Sequence, residues 1–456
     1  MRVTIGYGRE HHDYEVAEDK LIGDPRMPVA NLTDLPAAVH AALEAPFQFP
    51  ALRLALTPDD HVAVVVDETL SQLPEALVPV LEHLAQAGVA PANMTLLSAP
   101  TTSGQPWIDQ LPEAFEEAHV EVHDPADRKR LSYLATTKRG QRLYLNRTVV
   151  DADQVVVVSA RRYDALLGQG GAEGAIYPAL SDSATHDAVQ GRVTLAAPGP
   201  EPALTRRQAV ETAWLLGAPF FVQIIEGAGG GWSQVVAGAT EASAEAGRQL
   251  DARWRLPVAR SAELVVVTLT GDPAGQTFAD WAAALACAAR VVEPGGRIVL
   301  LTEGRPEFGP VAELLRNADE PEQVLKHLRR QQTLEMLPAM QWATAASRAR
   351  LYVLSGLPDD VVEELFATPL QHAGQVQRLV DDSASCLFIE DAHRALAVIE
   401  EGAALDTVSH RGGTPRAGGE GRGKWHALRV PLRACHPHSG RLGGEDRWPS
   451  RLLCTG

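Results

Sequence analysis

The sequence predicts an α/β fold of two domains, with parallel or mixed sheets and a cleft between the domains. Two observations carry this. Short β-branched runs recur along the first three hundred residues and alternate with Ala/Leu/Glu-rich segments whose apolar spacing suits surface helices. Runs at 62–66 and 155–158 are apolar at every position, as strands covered on both faces by helices require.

In chain order, strands are expected at 3–5, 61–66, 94–97, 154–159, 220–225, 264–269 and 297–301, with helices at 74–87, 241–256 and 281–291. A boundary near 255–261 gives domains of 1–260 and 261–400, the second near the usual domain size. The second opens on a strand, a turn at Thr270-Gly271-Asp272-Pro273, a helix, and Pro294-Gly295-Gly296 before the next strand. It lacks G-x-G-x-x-G, so the Gly-Gly pair is read as a helix C-cap and tight turn. Residues 401–456 are a glycine-rich basic tail, expected to be disordered. From Arg411 onward nine basic residues face three acidic ones, although the whole chain carries a formal charge of -17.

That acidic balance argues against a nucleic-acid partner, which needs a basic footprint. Four cysteines with no C-x-x-C pair exclude a disulfide scaffold and disfavour a Cys-based metal site. No apolar run reaches the roughly 18 residues that span a bilayer, and the opening residues read as a strand rather than an export signal. The expectation is a cytoplasmic protein with a small polar or anionic ligand, no nucleic acid and no membrane. Composition leaves the oligomeric state open.

Candidate chemistry sits where strands end in polar residues, because α/β sheets bind ligands at the carboxyl ends of their strands. Asp67 and Thr69 follow the run at 64–66, and either contact a ligand or cap the next helix. Thr101 and Thr102 follow the next strand in a hydroxyl-rich loop ending at Gly104, where anion binding competes with ordinary turn chemistry. Arg161, Arg162 and Tyr163 follow the strand at 154–159 and lead into Gly168-Gln169-Gly170-Gly171-Ala172-Glu173-Gly174. Either arginine is suited to clamp a carboxylate or phosphate, or else one is a surface residue and the other structural. Glu226 ends the strand at 220–225 before a glycine loop, where an acid or base is useful. Trp342 is a cleft wall or a core residue. Among the histidines no zinc pattern appears, and His119 and His123 read as two loop-side residues.

The order of these motifs resembles the nickel-pincer lactate racemase family over about residues 1–400. The resemblance rests on Asp67-Glu68-Thr69, the loop at 101–104, His123-Asp124-Pro125 and Thr136-Thr137-Lys138-Arg139-Gly140 with Tyr144-Leu145-Asn146-Arg147. It continues through Gly170-Gly171-Ala172-Glu173 with Tyr177-Pro178, then Gly271-Asp272-Pro273 to Gln276, and Pro294-Gly295-Gly296. It implies a two-domain lactate-racemase-like architecture and α-hydroxy-acid racemisation by hydride transfer to a nickel-bound, sulfur-containing pyridine nucleotide. In the family a lysine after Gly-Gly-x tethers that nucleotide, a histidine ligates nickel, two more exchange the hydroxyl proton, and an arginine after Asp-x-Thr binds the substrate.

This chain departs at each of those points. Leu70 stands at the arginine position, and Thr101-Thr102 replaces Thr-His. The nickel histidine position falls at Tyr163 or Arg162, and the tethering lysine at Glu173 or Gly174. No lysine occurs between Lys138 and Lys326. His186 is the one histidine near the position of a further family histidine. Gln276 matches, whereas the following Gln and Lys positions carry Asp280 and Ala283. The scaffold is therefore retained and the covalent nickel-pincer nucleotide, with its metal, is expected to be absent. Two classes remain. One is an isomerase or lyase of small hydroxy acids using Asp67, Glu173, Glu226 or Asp280 in proton transfer, with Thr69, Gln276 and the arginines binding substrate. The other is a catalytically degenerate binding protein with affinity for anions.

Overall fold

The computed structural model describes residues 1–400 except 24–29, 101–104, 138–139, 196–202, 218 and 329–333. Met1–Leu405 form one compact unit. The basic tail, like the Thr101-Thr102 loop, lies outside the described residues.

The chain opens with an antiparallel hairpin, β1 (Arg2–Tyr7) and β2 (Glu10–Glu15), followed by α1 (Leu35–Glu44). Asp34 caps α1 by accepting from the Ala37 amide at 3.0 Å. The first sheet begins with β3 (Val62–Val66), α2 (Leu73–Gln86), β4 (Met94–Ser98) and β5 (His119–Val122). A second hairpin, β6 (Leu131–Thr136) and β7 (Arg142–Asn146), leads through α3 (Arg147–Asp151) to β8 (Gln154–Ala160). The glycine-rich stretch then forms a two-residue ladder, β9 (Tyr163–Asp164) with β10 (Gly168–Gln169), before α4 (Ala172–Ile176), α5 (Ser183–Gln190) and α6 (Leu204–Leu215). β11 (Phe220–Glu226), β12 (Trp232–Gly238) and α7 (Thr240–Trp254) complete this half.

The strand order is β12-β11-β8-β3-β4-β5, parallel except for β12. Alternate residues of β3 divide between two cores, as a period of two dictates. Val62, Val64 and Val66 pack with Leu77, Val80 and Leu84 of α2, while Ala63 and Val65 face Ile176 of α4 and Ala213 of α6.

The second half starts with β13 (Arg255–Val258) and β14 (Ala262–Thr268), then α8 (Phe278–Val291) and β15 (Val292–Leu301). Next come α9 (Pro310–Arg316), α10 (Pro321–Leu328), α11 (Leu337–Arg348), β16 (Arg350–Leu354), α12 (Asp359–Glu364) and β17 (Ala367–Pro369). α13 (Val376–Asp381), β18 (Cys386–Ile389) and β19 (Leu396–Ile399) end the described chain. The order β17-β16-β15-β14-β18 is parallel throughout, and β13 pairs with β19 in a separate ladder.

The α/β architecture with parallel and mixed sheets is as expected, and no strand of one large sheet pairs with the other among the described residues. Three details depart from the sequence reading. The expected helix at 241–256 gives way to β13 after Trp254. The Pro294-Gly295-Gly296 turn lies inside β15, where the register jumps from Val292 opposite Ala262 to Arg297 opposite Leu264. Such a bulge accommodates extra residues without ending the strand. Third, Val3, Ile5, Tyr14 and Val16 of the N-terminal hairpin pack on Leu264, Val266, Val299 and Phe388, so the first residues cover the second sheet.

Candidate functional site

In the first sheet the chain runs outward from β3 to β4 and β5, then returns to the other side of β3 as β8. The β3/β8 junction is therefore the switch point where parallel sheets open a ligand crevice beyond the strand ends. Asp67 follows β3, Arg161 and Arg162 follow β8, and Glu226 closes β11 beside them. A cavity of about 340 Å³ opens here, with Asp67, Thr69, Arg162, Asp164 and Gly171 among its lining.

Asp67 neither caps α2 nor stands free. Its Oδ1 accepts from the Thr69 amide at 3.0 Å and hydroxyl at 2.5 Å, and its Oδ2 from the Ala160 amide at 3.1 Å. It ties the end of β3 to the end of β8. Glu226 Oε1 accepts from the Ser71 hydroxyl at 2.9 Å, while the Glu226 carbonyl accepts from the Trp254 indole at 2.8 Å.

Arg162 lies between these carboxylates. One terminal nitrogen is 3.8 Å from Asp67 Oδ2 and 3.9 Å from Glu226 Oε2, and the side chain keeps 37 % of its surface accessible. Its one hydrogen bond among the described residues is a 3.5 Å contact to the Thr69 carbonyl. Burial in the crevice works against its charge, but Asp67, Glu226, Asp280 and Asp164 outweigh that and raise its pKa. It remains a guanidinium with unspent donors.

Arg161 points the other way, into the interior. It donates to Gln169 Oε1 at 3.0 Å and lies 3.7 Å from Glu173, which also faces Arg206 at 3.9 Å. Burial first, then the like charge of Arg206, lowers its pKa to about 10 against the opposing pull of Glu173. Gly171, at φ 144°, passes so close that a Cβ there would sit 2.9 Å from Arg161 Cδ.

Several expected site residues thus have other roles. Trp342 is fully buried, stacks on Phe278 at 5.2 Å and donates to the Leu365 carbonyl, so it fills the core of the second half instead of walling a cleft. The Tyr163 hydroxyl donates to Asp251 of α7 at 2.8 Å. Asp280 forms a capping box with Thr277 at the start of α8. Gln276 accepts from Thr302, which fixes it against the β15 end. Glu173 and Arg161 are an interior ion pair. His123 is buried against the Ser181 carbonyl at 2.8 Å, with its ring centroid 6.5 Å from that of His186, while His119 stays exposed on β5. Burial lowers the pKa of both the buried His123 and the half-buried His186, which favours the neutral form of each.

The second sheet contributes residues the sequence reading missed. It also has a switch point, between β14 and β18, because the chain leaves β14 toward β15, β16 and β17 and returns as β18 on its far side. The segment after β18 carries Asp391, His393 and Arg394. Asp391, fully buried, accepts from the Thr270 amide and hydroxyl at 2.8 Å and from the Gly229 amide at 3.1 Å. Arg394 Nε lies 3.8 Å from Glu226 Oε2. The signal was present: an apolar run at 386–389 followed by charged residues repeats the pattern at 62–67.

Residues 7–194 match the family model of the lactate racemase N-terminal domain. The match covers that domain. No curated protein matches the chain. Among solved structures, the lactate racemase apoprotein from Thermoanaerobacterium thermosaccharolyticum superposes with a TM-score of 0.70 at 15% identity, covering 88% of this chain and 100% of that one. A Thermotoga maritima protein gives 0.53 at 12% identity, covering 82% and 100%. At such identities the likeness is one of fold.

The lactate racemase fold implies a nickel-pincer nucleotide, and the residues here do not fit it. At the expected tether position, Glu173 or Gly174, Glu173 is buried between Arg161 and Arg206, and neither a carboxylate nor a glycine has an amine with which to form the thioamide. At the metal position Tyr163 is engaged by Asp251 and Arg162 is a cation, a poor exchange for imidazole. Among the described residues no group of three or more His, Cys, Asp or Glu side chains could hold a metal ion. Nor is any described helix long and apolar enough to cross a membrane.

Proposed function

We propose that this chain is an isomerase or lyase that acts on a small hydroxy acid or related polar substrate without the nickel-pincer nucleotide. The observation that carries the reading is Arg162, a half-open guanidinium at the sheet's switch point, with two carboxylates nearby but beyond hydrogen-bond reach. A ligand carboxylate approaching it gains charge-assisted hydrogen bonds that neither Asp67 nor Glu226 now makes. Glu226 is the better-placed base. Ser71 anchors one of its oxygens and the other faces Arg162, whereas both Asp67 oxygens already accept. A positioned base of this kind typically supplies 10²–10⁴-fold, about 3–5 kcal/mol of barrier.

The engagement of Asp67 on both oxygens favours a second reading, a binding protein that holds the same ligands without turnover. One experiment separates the two. The protein is incubated in D₂O with either enantiomer of lactate, glycerate or malate, and binding and deuterium incorporation at Cα are measured. Binding that Arg162→Met weakens about tenfold or more, with exchange that Glu226→Gln abolishes, supports the enzyme. Binding without exchange supports the binding protein. In parallel, the protein is supplied with mature nickel-pincer nucleotide, freed of unbound material, and assayed for mass, nickel and lactate interconversion. A stoichiometric adduct with racemisation would overturn the proposal.

A further inference from the structure

We propose that Arg394 is a positioning residue of this site, held by His393, and that the second sheet thereby completes the ligand-binding geometry of the first. The inference rests on the ligand-site reading above and adds residues to it.

Glu226 Oε2 is straddled by two guanidinium groups. Arg162 approaches at 3.9 Å from the switch point of the first sheet and Arg394 at 3.8 Å from that of the second. All three side chains are anchored from behind. Ser71 holds the other Glu226 oxygen, Asp67 faces Arg162, and Arg394 NH1 meets His393 Nε2 at 2.5 Å while lying 3.8 Å from Asp391. The order Arg162, Glu226, Arg394, His393 is therefore a continuous line of charged and polar groups running from one sheet to the other.

His393 serves that line as an acceptor. A guanidinium can only donate, so the short contact requires Nε2 to be unprotonated and places the ring hydrogen on Nδ1. The surroundings enforce the neutral form: burial, then the charges of Arg394 and Arg162, hold the pKa well below the ordinary histidine value. Among the described residues the buried Nδ1 finds no hydrogen-bond partner, and neither does Arg394 Nε. The unmet Arg394 Nε, 3.8 Å from Glu226 Oε2, leaves room for the line to shorten when a ligand engages Arg162. Arg394 then keeps Glu226 from swinging onto Arg162 and spending the donors that the ligand needs.

Two measurements on the full-length chain test this, one of which needs no ligand. The first is a double-mutant cycle on thermal unfolding with Glu226→Gln and Arg394→Met. The expected outcome is non-additivity of about 1 °C or more; additive effects would overturn the coupling. The second uses D- and L-lactate as probes. Arg394→Met and His393→Phe are expected to weaken binding about five- to tenfold. His393→Asn, which keeps an acceptor, restores it, while the unfolding transition moves equally in the Phe and Asn variants. Equal loss in Phe and Asn would reduce His393 to packing and overturn its role. If the wild type binds neither enantiomer, the ligand reading fails, and the cycle still decides whether Arg394 and Glu226 act together.

Discussion

Arg161 and Arg162 are neighbours in sequence and opposites in role. A strand's alternation sends successive side chains to opposite faces, so Arg161 enters the core while Arg162 opens into the crevice. The interior trio of Arg161, Glu173 and Arg206 is where a substitution should show most in stability. Glu173→Gln leaves two buried or half-buried guanidinium groups facing each other without their carboxylate. Breaking a buried ion pair from one side typically costs about 3–5 kcal/mol, and urea unfolding is expected to show a loss of that order. Were Glu173 a proton-transfer group instead, the substitution would abolish turnover and leave the unfolding midpoint in place. The contrast also shows what sequence could supply at this scale. Two arginines at a strand end pointed to the end of β8, but which one lines the cavity there depends on where β8 stops.

Among the elements, the turns after β11 and β14 cross each other in close contact. Gly271, at φ 88°, crosses the Gly229 loop so closely that a Cβ would lie 2.4 Å from the Gly229 carbonyl oxygen. Its amide donates to Gly8 at 2.8 Å, and Asp391 bridges the Thr270 and Gly229 amides across the same crossing. Gly271→Ala therefore meets both a steric clash and a left-handed backbone, the latter alone costing about 1–2 kcal/mol. Faster amide exchange at 227–231 and a lower melting temperature are expected. Unchanged exchange there would show that the crossing does not hold the loops. The strands themselves were legible, since 62–66, 94–97, 154–159 and 220–225 are largely apolar stretches of strand length. The segments 255–258 and 396–399 were not, because each is short and finds its partner some 140 residues away.

For the whole molecule, the packing of the hairpin on the second sheet predicts how the chain can be divided. Val3, Ile5, Tyr14 and Val16 are buried against Leu264, Val299 and Phe388, and Lys20 and Ile22 add backbone hydrogen bonds to Cys386. At about 2 kcal/mol for each large apolar side chain, their removal costs an amount comparable with the whole stability of an ordinary domain, about 5–15 kcal/mol. A fragment of residues 255–400 is expected to lack a cooperative unfolding transition, and one with residues 1–23 joined to it to regain one. A cooperative transition in the shorter fragment would show that the hairpin is dispensable.

Local pattern alone determined the α/β class, most of the central strands, and the three strand ends at Asp67, Arg162 and Glu226. Those features follow from apolar periodicity and from the polar residues that interrupt it. It also determined that no lysine lies between Lys138 and Lys326, which is a fact of composition. Tertiary structure decided the rest: that Arg161 and Glu173 face inward, that Trp342 is core, that Asp280 is a cap, and that Arg394 stands beside Glu226. Each depends on which strand neighbours which, and the return of β8 beside β3 and of β18 beside β14 is set by contacts between residues far apart in the chain.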